Sequence, residues 1–175
     1  AIVDGDAVLL LMARYLKAAG RLKANDGTPV VVATVMSNLG FERALGRDGV
    51  TLVRTAVGDK YVLEEMIRRG AQIGGEQSGH LIFLEQATTG DGLLTALRVL
   101  EVMHADGKPL DELTTGLQVY PQKLVNVRVK ERKPLSDLLM VNEAIQAAER
   151  SLGADGRVLV RFSGTEPLLR VMVEG

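Results

Sequence analysis

The chain has 175 residues, a formal net charge of −1 and 46% hydrophobic residues, which is typical of an ordinary globular protein with one or two domains. A net charge so close to zero implies no broad basic face, so we expect no nucleic-acid partner. The sequence contains no cysteine, which excludes disulfides, thiolate metal sites and a cysteine nucleophile.

Nothing in the sequence indicates a membrane segment or a secretory signal. The longest apolar run, residues 7–13, stops at Arg14 and is far too short to span a bilayer. The first residues lack a basic segment followed by a cleavage site. We therefore expect a cytoplasmic protein without a membrane partner. The chain starts at Ala1 and enters a helical pattern almost at once. We therefore interpret it as a fragment of a longer protein, either expressed as a fragment or released by proteolysis.

The first predicted helix covers residues 5–19, where apolar side chains recur at helical spacing. Asp6 is its predicted N-cap and Gly20 its predicted end. Asp4 and Asp6 flank a glycine, and two carboxylates placed in this way can hold a hard cation. We favour the capping interpretation over the metal site.

Strands and helices then alternate from residue 29 to residue 117, which predicts a three-layer α/β domain with a mainly parallel sheet. The valine-rich run at residues 29–35 is typical of a strand that is buried on both faces. Further strands are predicted at residues 49–53, 71–73 and 81–84.

The helices of this domain begin at polar residues that can cap them. Ser37 and Asp59 are the predicted caps of the second and third helices, and Asp91 is the predicted cap of a fourth at residues 93–104. Leu97 and Leu100 belong to the predicted buried stripe of this fourth helix.

The pattern changes after the predicted linker, Tyr120-Pro121. A strand at residues 124–129, a helix at residues 134–152 and two closing strands predict a small two-layer α+β domain. We therefore divide the chain into residues 1–118, an incomplete α/β domain, and residues 119–175, a C-terminal α+β domain.

A loop rich in hydrogen-bond donors separates the two closing strands. Arg161 and Arg170 stand at its ends, and each guanidinium can bind two oxygens at once. Between them, Gly164 lets the backbone turn its N–H groups toward one point, while Ser163 and Thr165 add hydroxyl donors. This chemistry suits a phosphate group. An ordinary hairpin with solvated arginines is the alternative, and spacing alone does not distinguish the two interpretations.

A second polar loop, Gly74-Gly75-Glu76-Gln77-Ser78-Gly79-His80, lies between two predicted strands. In an extended loop, residues two apart point the same way, so Glu76, Ser78 and His80 would present a carboxylate, a hydroxyl and an imidazole on one side. Such groups suit sugar hydroxyls. His80 can also carry a proton near neutral pH, although sugar binding alone is equally compatible, and a polar turn with an exposed histidine is the alternative.

The turn before the third helix contains Gly58, Asp59 and Lys60. Lys60 lies in the first helical turn, where the helix dipole disfavours a cation, and this placement hints at a function. A solvated surface lysine explains the charge pattern equally well.

Both polar loops resemble those of the α-D-phosphohexomutases. The sequence Arg161-Phe162-Ser163-Gly164-Thr165-Glu166-Pro167 is similar to the C-terminal phosphate-binding loop of this family, and residues 74–80 are similar to its sugar-binding loop. The resemblance covers essentially the whole chain. Within the family, the loops look most like the bacterial branch that acts on glucosamine phosphates, and mutases of mannose or glucose phosphates are the close alternative.

The resemblance implies a fold, an activity and a set of site residues. The family has four domains, of which this chain would hold the later part of the third, sugar-binding domain and the whole of the fourth. The family reaction moves a phosphoryl group between the 6- and 1-positions of a hexose, through a phosphoserine and a bisphosphorylated sugar, with Mg²⁺. The residues carried over are Arg161, Ser163, Gly164, Thr165 and Arg170 for the non-transferring phosphate, Glu76, Ser78 and His80 for the sugar, and Gly58, Asp59 and Lys60 as cleft-lining residues.

Two loops of the family have no counterpart in this sequence: the phosphoserine loop and the Asp-rich metal loop. Asp4-Gly5-Asp6 is followed by Ala7-Val8 rather than by a third aspartate and an arginine. The resemblance therefore implies that the Mg²⁺ ligands lie in the missing N-terminal domains of the same protein. We expect the chain alone to bind a hexosamine phosphate without mutase activity. A non-catalytic module that binds anions or other proteins is the alternative from a different class.

Overall fold

The computed structural model describes residues 2–175, and the chain forms two compact units that meet between Val119 and Tyr120. The helices of the first unit are α1 (Gly5–Ala18), α2 (Leu39–Arg47), α3 (Asp59–Arg69), α4 (Gly92–Asp106) and α5 (Leu110–Leu113), and its strands are β1 (Val30–Thr34), β2 (Thr51–Thr55), β3 (Ile73–Gly75) and β4 (Leu81–Phe83). The sheet order is β2-β1-β3-β4. β1 runs parallel to β2 and β3, and β4 is antiparallel to β3, which confirms the predicted α/β fold with a mainly parallel sheet.

β1 is buried along its whole length because helices cover both of its faces. Val31 and Ala33 belong to a core shared with α1, α2 and α4, whereas Val32 belongs to a second core with Val62 and Met66 of α3. Side chains alternate between the faces of a strand, so a strand between two helical layers needs apolar residues at every position. The valine run predicted this arrangement.

The caps of the first two helices differ from the prediction. Asp4 caps α1, and its Oδ1 accepts the backbone N–H of Ala7, three residues further along the chain, at 3.0 Å. Asp6, the predicted cap, lies inside the helix and is fully buried. Asn38 rather than Ser37 caps α2. In both places the sequence offers two polar residues close together, so the local pattern alone does not identify the cap.

The next two helices give one correction and one agreement. Gly58 occupies the N-cap position of α3, and Asp59 is the first residue of the helix rather than its cap. Asp91 caps α4 as predicted. The predicted buried stripe, which also included Leu94 and Val102, is wrong at Leu97 and Leu100, which are both 57% exposed, whereas Val102 is buried and Leu94 packs against the core. Along α4, which the structure describes in full, Val102 alone is buried, so the helix packs through a neighbouring face.

The second unit consists of β5 (Gln122–Arg128), α6 (Leu139–Leu152), β6 (Arg157–Phe162) and β7 (Leu168–Glu174). Its three strands form an antiparallel sheet in the order β5-β7-β6, which confirms the α+β class. The predicted single helix at residues 134–152 is instead a 3-10 turn, Leu135–Asp137, followed by α6.

α6 covers one face of this sheet. Val141 and Ile145 of α6 line a common apolar space of about 370 Å³ with Val158, Val160 and Val171 of the strands. Because side chains alternate along a strand, the residues between these valines lie on the opposite face. In the part of the chain that the structure describes, no helix has the length and apolar character needed to cross a membrane.

Candidate functional site

Arg161 and Arg170 face each other across the last two strands. The register of β6 and β7 pairs them directly, and both are half-buried on the sheet face away from α6. Like charges directly opposite in an antiparallel pair destabilise it. Burial lowers the pKa of Arg161, and the positive charge of neighbouring Arg170 lowers it further. An anion bound between the two guanidinium groups would relieve both effects.

The two arginines differ in their existing contacts. Nη2 of Arg170 donates to Oε2 of Glu166 at 3.0 Å, while its Nε is buried and has no acceptor among residues 2–175. Within residues 2–175, the guanidinium of Arg161 makes no hydrogen bond or ion pair. The guanidinium of Arg161 is therefore available to a ligand, whereas Arg170 is already held at Nη2 by a carboxylate and its Nε is buried.

Ser163 shapes the loop between the two strands. It is buried, its N–H donates to the carbonyl oxygen of Leu168 at 2.8 Å, and its hydroxyl accepts the N–H of Glu166 at 3.3 Å. The side chain thus closes the turn on itself. Its role as a ligand donor remains a prediction. The hydroxyl oxygen already accepts one hydrogen bond, from the N–H of Glu166.

The backbone N–H groups of Gly164 and Thr165 complete the donor set. Neither group reaches an acceptor among the residues that the structure describes. Gly164 has no positive φ, and a Cβ added to it would meet nothing within 4 Å. The turn therefore does not require glycine here through an unusual backbone conformation. What the absent side chain provides is open access to two free N–H groups beside two cations, which suits a phosphate.

Asn126 lies beside the two arginines on the same sheet, and the sequence did not identify it as a site residue. The register of β5 and β7 pairs it with Arg170, so Asn126, Arg170 and Arg161 lie in line across three strands. Asn126 is exposed and adds an amide to the same sheet face. Its alternation with the apolar residues of β5 was the available signal, but the pairing register was needed to interpret it.

The first unit contains a second candidate site, at the carboxyl ends of its parallel strands. In sheets of this kind, ligands bind at this edge. A pocket of about 310 Å³ opens there, and its lining consists of Thr34, Met36, Val57, Glu76, Gln77 and Ser78. Glu76 and Ser78 were predicted, whereas the other four were not. Each of the four follows or ends a strand or belongs to the same turn, and this position was the signal that could have identified them.

Glu76 connects two segments around this pocket. Its Oε1 accepts the backbone N–H of Gly58 at 3.1 Å. Gly58 has a φ of 132°, which favours glycine, and it precedes α3. Gly58 therefore acts on the pocket by fixing the carboxylate of Glu76 and does not itself line it.

Residues 76–79 form a tight turn rather than an extended loop. The N–H of Glu76 donates to the carbonyl oxygen of His80 at 2.9 Å, and the N–H of Gly79 donates to that of Glu76 at 3.0 Å. The predicted alternation, with Glu76, Ser78 and His80 on one side, is therefore wrong. The exposed ring of His80 lies against Gly90, where an added Cβ would be 2.6 Å from its Cδ2, and His80 does not line the pocket.

Asp59 and Lys60 also lie outside the pocket lining. Both are exposed. Nζ of Lys60 lies 3.8 Å from Oε1 of Glu64, one helical turn further on. Lys60 thus has an ordinary partner on the surface of its own helix.

No metal site is visible in the described part of the chain: within residues 2–175 there is no group of three or more His, Cys, Asp or Glu side chains that could hold an ion. The two N-terminal carboxylates have other partners. Asp4 accepts the N–H of Ala7, and Asp6 accepts the N–H of Asn38 at 2.7 Å. These residues do not fit a Mg²⁺ site.

Comparison with protein families gives two adjoining matches. The model of phosphoglucomutase/phosphomannomutase alpha/beta/alpha domain III matches residues 4–120. The model of the phosphoglucomutase/phosphomannomutase C-terminal domain matches residues 124–175.

Curated relatives match over nearly the whole chain. The chain is 62% identical over 174 residues to the phosphoglucosamine mutase of Solibacter usitatus (strain Ellin6076) and 53% identical over 173 residues to that of Geobacillus kaustophilus (strain HTA426). Each alignment covers 99% of this chain and 38% of the relative. The chain therefore spans about two fifths of the length of the curated relatives that it matches.

Solved structures share the fold. The crystal structure of Aspergillus fumigatus N-acetylphosphoglucosamine mutase in complex with GlcNAc-6P and magnesium matches with a TM-score of 0.81 at 22% identity, over 100% of this chain and 44% of that chain. A phosphoglucomutase/phosphomannomutase family protein from Burkholderia thailandensis matches with a TM-score of 0.73 at 21% identity, over 100% of this chain and 38% of that chain.

Proposed function

Because the chain belongs to the phosphoglucomutase/phosphomannomutase family, we propose that it is the C-terminal part of a phosphoglucosamine mutase. The whole protein then interconverts glucosamine 6-phosphate and glucosamine 1-phosphate, through a phosphoserine and a bisphosphorylated intermediate. The names of relatives at 62% and 53% identity support glucosamine over mannose or glucose as the sugar. A cytoplasmic location and a role in the synthesis of cell-wall precursors belong to the same proposal.

The observation that carries the proposal is the arginine pair of the second unit. Arg161 and Arg170 are paired across β6 and β7, although their charges repel, and the free N–H groups of Gly164 and Thr165 lie in the loop between those strands. In the proposal, these groups bind the phosphate that is not transferred, and Ser163 keeps the loop in shape. A firm hold on a non-reacting group helps to position the reacting end of the substrate.

In the same proposal, the pocket of the first unit binds the sugar. Glu76 and Ser78 supply a carboxylate and a hydroxyl for the sugar hydroxyls. His80 contributes from beside the pocket, as a sugar ligand or as a proton carrier. Exposed Asp59 and Lys60 enter only as groups at the edge of the cleft in the whole protein.

Phosphoryl transfer also needs a nucleophile and stabilisation of the charge on the transferring group. Mg²⁺ would supply that stabilisation in the whole protein. The sequence lacks counterparts of the phosphoserine and metal loops, and the residues present do not fit a Mg²⁺ site. We therefore assign the Mg²⁺ ligands to the missing N-terminal domains, and we expect this chain to bind sugar phosphate without turning it over.

Calorimetric titration tests the proposal. The chain is titrated with glucosamine 6-phosphate, glucose 6-phosphate and inorganic phosphate, beside the variants Arg161→Ala and Arg150→Ala. Arg150 is an exposed residue of α6, so its removal changes the net charge equally without touching the loop. We expect Arg161→Ala to weaken phosphate binding about tenfold or more, since it removes charge-assisted hydrogen bonds, and Arg150→Ala to leave it nearly unchanged.

Three results would contradict this expectation: equal affinity for the chain and Arg161→Ala, an equal loss in both variants, or no binding at millimolar ligand. A preference for glucose 6-phosphate over glucosamine 6-phosphate would favour the glucose or mannose branch of the family. Binding of inorganic phosphate with no sugar discrimination at all would favour the non-catalytic anion-binding module.

A further inference from the structure

The pocket of the first unit is bordered by two segments that are neither helix nor strand. Residues 36–38 lie in the connection from β1 to α2, and residues 76–79 lie in the connection from β3 to β4. Both segments contact residues 4–6, at the start of α1. Residues 4–6 themselves do not line the pocket.

Gly5 contacts the second of these segments through the backbone. Its N–H donates to the carbonyl oxygen of Gln77 at 2.9 Å. A Cβ added to Gly5 would lie 2.1 Å from the carbonyl oxygen of Glu76 and 2.8 Å from the nitrogen of Gly79. Gly5 has no positive φ, so this close approach, rather than an unusual backbone conformation, is what requires glycine.

Asp6 contacts the first segment through its side chain. Asp6 is fully buried, and its Oδ2 accepts the N–H of Asn38 at 2.7 Å. Asn38 in turn caps α2 by accepting the N–H of Gly40 at 2.9 Å. The carboxylate therefore fixes the point at which the chain leaves β1 and begins α2.

The start of α1 is itself firmly anchored. Asp4 caps the helix, and the leucines that follow, Leu9 and Leu10, are fully buried in the main core. A helix held in this way transmits a displacement at Gly5 to Asp6, because the two residues share its first turn.

We propose that residues 4–6 are a positioning element for the pocket, in which Gly5 fixes residues 76–79 and Asp6 fixes residues 36–38. One rigid helix start then sets the separation of Met36 from Glu76 and Ser78 across the pocket. The identity of the ligand in this inference rests on the proposed function, whereas the contacts themselves do not. Because both segments contact the first turn of α1, a substitution at Gly5 or at Asp6 changes the conformation of both segments.

Amide NMR spectra of the isotope-labelled chain test this coupling without any ligand. The variants are Asp6→Ala, Asp6→Asn, Gly5→Ala and the control Gly46→Ala. Gly46 is an exposed glycine of α2 where an added Cβ would meet nothing. We expect Asp6→Ala to shift the amide signals of Ser37 and Asn38 and also those of Glu76 and Gly79. Gly5→Ala is expected to shift the same two sets, and Gly46→Ala neither.

Hydrogen exchange separates positioning from a general loss of stability. In Asp6→Ala the amide of Asn38 loses its acceptor, so we expect its exchange to be about tenfold faster or more. Asp6→Asn keeps an oxygen acceptor at the same place and is expected to restore slow exchange and the spectrum of residues 76–79. A merely destabilised chain would instead show faster exchange throughout the core and no rescue by asparagine.

Titration with glucosamine 6-phosphate then connects the coupling to binding. We expect about tenfold weaker affinity in Asp6→Ala, recovered in Asp6→Asn. Amide shifts confined to residues 36–38 in Asp6→Ala and to residues 76–79 in Gly5→Ala would overturn the inference. If the chain binds no sugar phosphate, the proposed function fails, but the spectra still decide whether residues 4–6 position both segments. If Gly5→Ala does not fold, the two Asp6 variants decide alone.

Discussion

The two polar turns of this protein are held in place in different ways. Residues 76–79 of the first unit are supported from outside, by the N–H of Gly5, by the bond between Glu76 and Gly58, and by the buried start of α1. The loop between β6 and β7 is closed by its own Ser163, and outside contacts reach its C-terminal half, where Arg132 donates to the carbonyl oxygen of Glu166 and the N–H of Val129 donates to that of Pro167. Among the residues that the structure describes, the N–H groups of Gly164 and Thr165 and the guanidinium of Arg161 reach no acceptor. The first turn takes its shape from the scaffold, whereas the second is a hairpin that presents unsatisfied donors.

This difference predicts how each turn responds to change. Substitutions around the first turn should act through stability and shape, because its neighbours are buried backbone and a buried carboxylate. Substitutions in the second should act through charge and access, and leave the fold intact. Three experiments test this contrast.

The largest expected effect is a dependence of stability on pH that originates at Asp6. Burial raises the pKa of Asp6 to about 6. The hydrogen bond from the N–H of Asn38 opposes this rise, nearby Asp4 adds to it, and Arg54 lowers the pKa. A carboxyl group with a raised pKa in the folded state stabilises the fold at low pH and loses that contribution as pH rises from its unfolded value, 3.8, through about 6. The shift corresponds to about 3 kcal/mol in total, most of which is lost between pH 4 and pH 7.

The measurement is urea unfolding of the chain and of Asp6→Asn at several pH values, followed through amide signals of the first unit. Because asparagine does not titrate, we expect the free energy of unfolding of the wild-type chain, relative to the variant, to fall between pH 4 and pH 7. A difference that stays constant over this range would show that Asp6 is not the buried ionisable group described here.

The second experiment replaces Gly75 by alanine. A Cβ there would lie 2.4 Å from the carbonyl oxygen of His80 and 3.1 Å from the Cα of Leu81, and backbone atoms cannot move aside as a flexible side chain can. Overpacking of this kind costs about 2 kcal/mol, so we expect a clear loss in the free energy of unfolding. The control is Gly92→Ala, where nothing lies within 4 Å. Equal stability of the two variants would mean that the first turn is not confined by its surroundings.

The sequence predicted those parts of the molecule whose cause is local. β1 is buried on both faces, and a strand in that position needs an apolar residue at every position, so its sequence alone predicted the burial. Arg161 and Arg170 are close in sequence because they belong to one hairpin. Their positions at the two ends of its loop were therefore visible in the sequence. Helix caps were harder, because neighbouring polar residues such as Ser37 and Asn38 compete for one position.

The parts that sequence did not reveal depend on distant contacts. Asp6 bonds to Asn38, 32 residues away, and no local pattern distinguishes this carboxylate from a helix cap. The pocket collects Thr34, Val57 and Gln77 from the ends of three strands, so it becomes visible only once the sheet order is known. His80 was misplaced for a related reason: the turn at residues 76–79 breaks the alternation that an extended loop would have had.

The smallest expected change in stability comes from Gly164→Ala, and it sharpens the contrast most directly. Nothing lies near the added methyl group, and φ is not positive, so we expect the free energy of unfolding to stay within about 0.5 kcal/mol or to rise slightly, as for other glycine-to-alanine changes at unstrained positions. Calorimetric titration with inorganic phosphate should nevertheless show several-fold weaker binding, because the methyl group occupies the approach to the free N–H groups of Gly164 and Thr165. Unchanged phosphate affinity in a stable Gly164→Ala chain would mean that the anion does not reach the loop backbone, and that Arg161 and Arg170 bind it by their side chains alone.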